Sequence, residues 1–274
     1  MANTSLLNNA FRLFFIFITT LFIGYSPRLY SQEGANCLLE KSGSVMEDYR
    51  LLLSKGNIAA LNLVNSSFIS VSIQNQFLIK ELMNEEVRAQ WIYKTNAFSM
   101  AIRHFGYSKY GEMKISAGYA KRFGNKIAIE LNFHYLLNHA IHYKAQNSIT
   151  FDLSFQAAIT EKFGFGLDVY NPARLKYGIK GEQMIPVELI YDCYYKVSKK
   201  LLFFGEIEKK IPGAFNLGLG MSYHLSPLSF NGLVSLTRCS FLISVEWHSF
   251  IFAIRTDFYY KTGISPTLDL FYLF

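Results

Sequence analysis

Residues 147–160 read Asn147-Ser148-Ile149-Thr150-Phe151-Asp152-Leu153-Ser154-Phe155-Gln156-Ala157-Ala158-Ile159-Thr160. Ile149, Phe151, Leu153, Phe155, Ala157 and Ile159 alternate with Ser148, Thr150, Asp152, Ser154, Gln156 and Ala158. Side chains on a strand point to opposite faces in turn, so this segment is a strand with one apolar and one wet face.

The pattern recurs on both sides. Upstream, Ile127, Ile129, Leu131, Phe133 and Tyr135 alternate with Lys126, Ala128, Glu130, Asn132 and His134. Downstream, Phe215, Leu217, Leu219, Met221 and Tyr223 alternate with a Gly, Ser, Asn and His set, and Phe241, Ile243, Val245 and Trp247 with Leu242, Ser244, Glu246 and His248. Extended over the chain, the pattern predicts strands at 66–79, 86–94, 97–106, 112–123, 125–140, 147–160, 162–170, 185–196, 199–209, 213–224, 227–237, 239–248, 249–260 and 266–274. Phe123-Gly124-Asn125-Lys126 and Lys210-Ile211-Pro212-Gly213 carry short-turn chemistry, while 106–111 and 171–184 read as longer, external loops.

A soluble β-sandwich also alternates, but its inward face would be rich in Val and Ile. Here the apolar face is Phe-, Tyr- and Leu-rich, and the chain holds 25 Phe and 18 Tyr against 2 Trp. Charged residues make up 17%, below the roughly 25% of soluble domains. The opposite face collects Glu130, Asp152, Asp168, Glu188, Asp192, Glu206, Glu208, Glu246, Arg255 and Asp257 among small polar residues. Rings outward and charges inward describe an all-β antiparallel transmembrane β-barrel of about 14 strands, with 12 the next even number. Glu130, Asp152, Asp168, Glu188, Glu206, Glu246, Arg255 and Asp257 are expected to form a lumen-facing polar network, with Arg103 and Lys114 as further ion-pair partners. The chain closes inside a strand on Phe274, with Leu268, Leu270 and Tyr272 on the same face, which reads as an assembly signal.

The N-terminus points to export. Arg12 precedes 13 uncharged residues, Leu13 to Tyr25, and Pro27 follows. A helix needs about 20 apolar residues to span a bilayer, so the run reads as a signal peptide over 1–31, cleaved after Ser31. Residues 32–64 are expected to form a periplasmic or plug segment, and 65–274 the barrel. Loss of Arg12 and Arg28 from 27 basic residues would lower the net charge from +7 to +5. The remaining basic residues are scattered, with no ring-interleaved stripe of the kind that binds nucleic acid. Cys37, Cys193 and Cys239 have no metal-ligand spacing, and neither metal nor cofactor is expected.

Several stretches resemble the PorV/PorQ-type outer-membrane barrels of Bacteroidetes, relatives of the FadL-like barrels. They are Ala101-Ile102-Arg103-His104-Phe105-Gly106-Tyr107-Ser108-Lys109-Tyr110 with Glu112-Met113-Lys114, then Ala117 to Gly124, and Asp168-Val169-Tyr170-Asn171-Pro172-Ala173-Arg174. Ile185-Pro186, Glu206-Ile207-Glu208-Lys209 and the ending from Gly263 continue the likeness across 95–274. The family's N-terminal "NPAG" segment is absent; Asn57-Ile58-Ala59-Ala60 stands nearest to it. The resemblance implies an outer-membrane location and an accessory barrel linked to type IX-like secretion. The alternative it implies is a narrow channel or transporter for small hydrophobic ligands. Expected partners are outer-membrane lipids, the barrel assembly machinery and secretion-system proteins.

For catalysis, His139 and His142 near Ser148 are the candidates. Nucleophilic chemistry needs a base within hydrogen-bond reach and a third group orienting it, and no spacing here supplies one. No enzymatic role is expected.

Overall fold

The computed structural model describes residues 67–124, 126–177, 183–213 and 215–274. The signal peptide and the 32–64 segment expected from the sequence lie outside the described residues. Seven strands come first: β1 (Phe68–Asn75), β2 (Met83–Tyr93), β3 (Asn96–Tyr107), β4 (Tyr110–Phe123), β5 (Ile127–Ala140), β6 (Gln146–Ala158) and β7 (Phe163–Tyr170). A loop carries the two-residue strands β8 (Lys176–Tyr177) and β9 (Gln183–Met184). Then follow β10 (Val187–Lys196), β11 (Leu201–Ile211), β12 (Phe215–Leu225), β13 (Leu228–Ser235), β14 (Arg238–Trp247), β15 (Phe250–Tyr259) and β16 (Gly263–Leu273).

All but β8 and β9 join a closed barrel of fourteen strands, each antiparallel to its neighbours. Closure is made by β1 against β16, in register from Phe68↔Leu273 to Gln74↔Thr267. Closure removes the exposed sheet edges, which is what allows strands to cross lipid. Each strand expected from the alternation has its counterpart in the wall.

Several boundaries differ from expectation by two residues or more, and three of them have a visible cause or consequence. The segment 106–111 is no long loop: β3 and β4 pair as far as Tyr107↔Tyr110, leaving Ser108 and Lys109 as a tight turn with Gly106 at φ 110. β1 stops at Asn75 instead of 79, because Phe77 and Leu78 take left-handed φ values of 55 and 59 and the chain turns through 3-10 geometry. The Phe77 N–H donates to Ser265 Oγ at 3.0 Å, and its ring meets that of Tyr259 at 5.5 Å, which holds this costly backbone in place. β16 starts at Gly263, three residues before Pro266. Pro266 lies just beyond the last β16 residue paired with β1, so its missing N–H is tolerated there.

Both described ends of the chain sit at one rim, called the near end. Near-end connections are short, such as Lys94-Thr95, Ser226-Pro227 and His248-Ser249, whereas the longest connection, 171–186, is at the far end. The near end is also distinguished on its outside. Rings belt its outer surface: Trp247 (62% exposed), Phe250, Tyr272 and Phe274 follow one another across β14 to β16. Ring centroids lie 5.1 Å apart for Phe250–Tyr272 and 6.1 Å apart for Tyr272–Phe274. Amphipathic and aromatic rings favour the interface between lipid and water.

Burial is inverted relative to a soluble protein. On β6 Asp152, Ser154 and Gln156 are buried while Leu153 is 44% exposed. On β5, Glu130 and His134 are buried between exposed Ile129, Phe133 and Tyr135. Inner-face glycines make room for bulky neighbours. A Cβ on Gly220 would run into the Phe204 ring and the Gly232 carbonyl.

Candidate functional site

The candidate site is the inner wall, built by the inward residues of every strand. Where backbone register brings inward polar residues opposite one another, they join into local networks. Ser116 on β4, His134 on β5 and Asp152 on β6 form one row: Ser116 Oγ lies 2.8 Å from His134 Nδ1, and His134 Nε2 lies 2.6 Å from Asp152 Oδ1. A neutral ring fits both bonds, donating Nε2–H to Asp152 and accepting the Ser116 hydroxyl at Nδ1. This resembles a Ser–His–Asp relay, yet Ser116 lies within a strand paired on both sides. Its neighbouring backbone N–H groups serve the ladder and are not free to hold an oxyanion.

Elsewhere the inner carboxylates meet cations. Glu86 is held by Arg103 at 2.5 Å and by Arg88 at 3.0 Å. Asp257 accepts the Ser240 hydroxyl at 2.5 Å and pairs with Arg255 at 3.3 Å. Lys210 lies 3.5 Å from Glu188 and 3.3 Å from Glu208. Lys114 stands over the Tyr170 ring, 4.9 Å from its centroid, and the Tyr110 hydroxyl donates to Glu112.

Of the residues singled out from sequence, Glu130, Asp152, Asp168, Glu188, Glu206 and Asp257 are at most 5% exposed on the inner wall. Arg255 keeps 12% of its side chain exposed. Glu246 is half-buried at the near end, opposite Ile251. Asp152 is joined to His134, Arg255 to Asp257 and Glu188 to Lys210, and Asp168 lies one strand from Asp192. His134, Ser116 and Lys210 were missing from the sequence-based network. Strand parity places all three inward, but their partners depend on register. His139 and His142 are exposed, and Ser148 donates to the Lys176 carbonyl at 2.8 Å.

Asn171 does more than turn the chain. Fully buried at φ 50, it accepts the Thr150 hydroxyl at 3.0 Å and the Leu175 N–H at 2.8 Å. Its amide donates to the Ile185 carbonyl at 2.8 Å, tying both ends of the 171–186 loop together. Ile185 then packs on Leu136 and Tyr170 inside the far end, with Tyr177 against them.

The inner wall is not uniformly polar. At the near end Phe68, Leu242, Ile251 and Phe271 form a buried apolar cluster with Ala97, Ala120 and Ala253. Ile190, Tyr194, Leu202 and Phe204 are also buried on the inner face of β10 and β11. Among the described residues no group of three His, Cys, Asp or Glu could hold a metal ion.

No family model and no curated protein matches the chain, so the PorV/PorQ-type resemblance gains no support there. Solved structures do match. The CymD monoaromatic hydrocarbon channel has a TM-score of 0.56 at 10% identity, covering 85% of this chain and 94% of that one. The toluene transporter TodX of Pseudomonas putida gives 0.60 at 7% identity, covering 84% and 94%. A Pseudomonas aeruginosa FadL homologue gives 0.58 at 8% identity, covering 85% and 96%. Identities this low establish the shared fold, that of outer-membrane β-barrels.

Proposed function

We propose that this barrel lies in the bacterial outer membrane, reached by export through the signal peptide at 1–31, and passes small hydrophobic ligands. The observation that carries this reading is the apolar lining. A wall made only for water and ions would have no use for buried Phe68, Leu242, Ile251 and Phe271 at one end and Leu136, Ile185 and Tyr170 at the other. Such patches offer an apolar molecule successive places to leave water, and fully burying one Leu-sized group contributes about 1.5–3 kcal/mol. The structural neighbours named for monoaromatic hydrocarbons and toluene support the same reading. Channel and transporter neighbours are also in keeping with a role without catalysis. The secretion-linked role implied by the resemblance has no comparable observation behind it.

The test is uptake through a lipopolysaccharide-bearing outer membrane, which resists apolar solutes. Cells lacking their own hydrocarbon transporters should take up labelled toluene faster when they express this protein. Their uptake of a small sugar should be unchanged. A barrel that speeds the sugar and leaves toluene unaffected would be a polar pore, contrary to the proposal.

A further inference from the structure

We propose that the inner wall of β7, β10 and β11 holds a site for a cationic amphiphile, a protonated amine carried on an aromatic or alkyl body. The proposal rests on the barrel being a passage for small hydrophobic ligands and narrows the class of ligand.

Register builds the site. Asp192 stands directly opposite Glu206, and two residues along the same strands Tyr194 stands opposite Phe204. All four are buried on the inner face. Directly opposed residues on one face have Cβ atoms about 5 Å apart, so the two carboxylates neighbour one another and the two rings flank them. On the other side of Asp192 is Gly166, where a Cβ would come within 2.5 Å of Asp192 Oδ1. Glycine there lets the carboxylate lie against the wall. Gly164 likewise accommodates Tyr194, and Gly220 accommodates Phe204.

Asp192 differs from the other inner acids. Asp152 has His134, Glu86 has two arginines, Asp257 has Arg255, and Glu188 and Glu208 share Lys210. Asp192 is 3% exposed, and no side chain among the described residues forms a hydrogen bond to either of its oxygens; the Gly166 backbone is the hydrogen-bonding group beside it. A buried carboxylate beside a second one is costly unless a cation reaches it. A bare divalent ion would need six or more oxygens, and no such group of acids stands among the described residues; Asp168 faces both carboxylates and Arg238 faces Glu206, while no cation is among the charges that act on Asp192. An ammonium group offers three donors, enough to bridge both carboxylates, and rings also attract cations through their faces. The chemistry therefore suits an organic ammonium whose apolar body lies along Tyr194 and Phe204.

The test is equilibrium binding to the purified protein in detergent, corrected against empty micelles, with three probes of similar size. Phenethylamine, its neutral isostere propylbenzene and the anion phenylpropionate differ mainly in charge. The amine should bind about tenfold more tightly than propylbenzene, as expected for a charge-assisted hydrogen bond. Asp192→Asn and Glu206→Gln should each remove that advantage and leave propylbenzene binding unchanged. If propylbenzene binds and the amine or either variant shows no such difference, the cation site is overturned while the hydrophobic passage stands. If phenylpropionate binds as well as the amine, the site is also refuted. If none of the three binds, both proposals fall.

Discussion

Leu153→Arg is expected to destabilise the barrel by about 2–4 kcal/mol, the range for a cation placed at mid-membrane on a lipid-facing strand. Leu153 lies on the outer face of β6, between Leu131 of β5 and Val169 of β7, and is 44% exposed to what would be acyl chains. Nothing polar on those two partners could solvate a guanidinium. Ser154→Arg, one residue along, should cost much less. Ser154 stands opposite Glu130 and Asp168, so the new charge would meet two carboxylates and pay mainly for crowding. Denaturant unfolding of both variants refolded into vesicles measures the difference. Equal losses would mean that the strand does not face lipid, and a larger loss at 154 that the faces of β6 have been exchanged.

Phe274→Asp, or deletion of Phe274, should sharply reduce the amount inserted in cells and hardly affect the finished barrel. The ring is 54% exposed and rests on Tyr272, while the backbone N–H donates to the Ser67 carbonyl at 3.0 Å, a bond Asp keeps. Full burial of such a side chain contributes about 1.5–3 kcal/mol, and a half-exposed ring contributes less. A large fall in insertion would therefore reflect recognition of the terminal aromatic by the assembly machinery. Quantitative blotting of outer-membrane fractions, set beside refolding into detergent, separates the two. Failed refolding with normal insertion would make Phe274 a structural residue instead.

Much of the wall was legible because a barrel strand has one rule, outward apolar and inward polar, and β5, β6, β12 and β14 obey it over most of their lengths. The rule fails where both faces carry the same chemistry. Leu201-Leu202-Phe203-Phe204 and Tyr194-Tyr195 give no alternation, so nothing in them marked Leu202, Phe204 or Tyr194 as inner residues. Tyr194 and Phe204 are the inner rings on which the cation site depends. The polar network was legible one residue at a time and not as pairs. His134 could be placed inward from β5 alone, but its bond to Asp152 requires the register of β5 on β6. Likewise the early end of β1 was hidden, since Phe77 and Leu78 continue an apolar pattern while turning through left-handed backbone. Asn171, at the start of the expected 171–184 loop, anchors that loop through partners at Thr150 and Ile185, 21 and 14 residues away, which the sequence alone does not bring together.

The central claim is an inside-out barrel, with rings toward lipid and charges toward the lumen. A nitroxide scan from Phe151 to Gln156 in protein reconstituted into bilayers tests it most directly. Oxygen, which concentrates in the hydrocarbon, should relax labels at 151, 153 and 155 strongly and labels at 152, 154 and 156 weakly. Uniform relaxation along the segment, or maxima at 152, 154 and 156, would contradict the account.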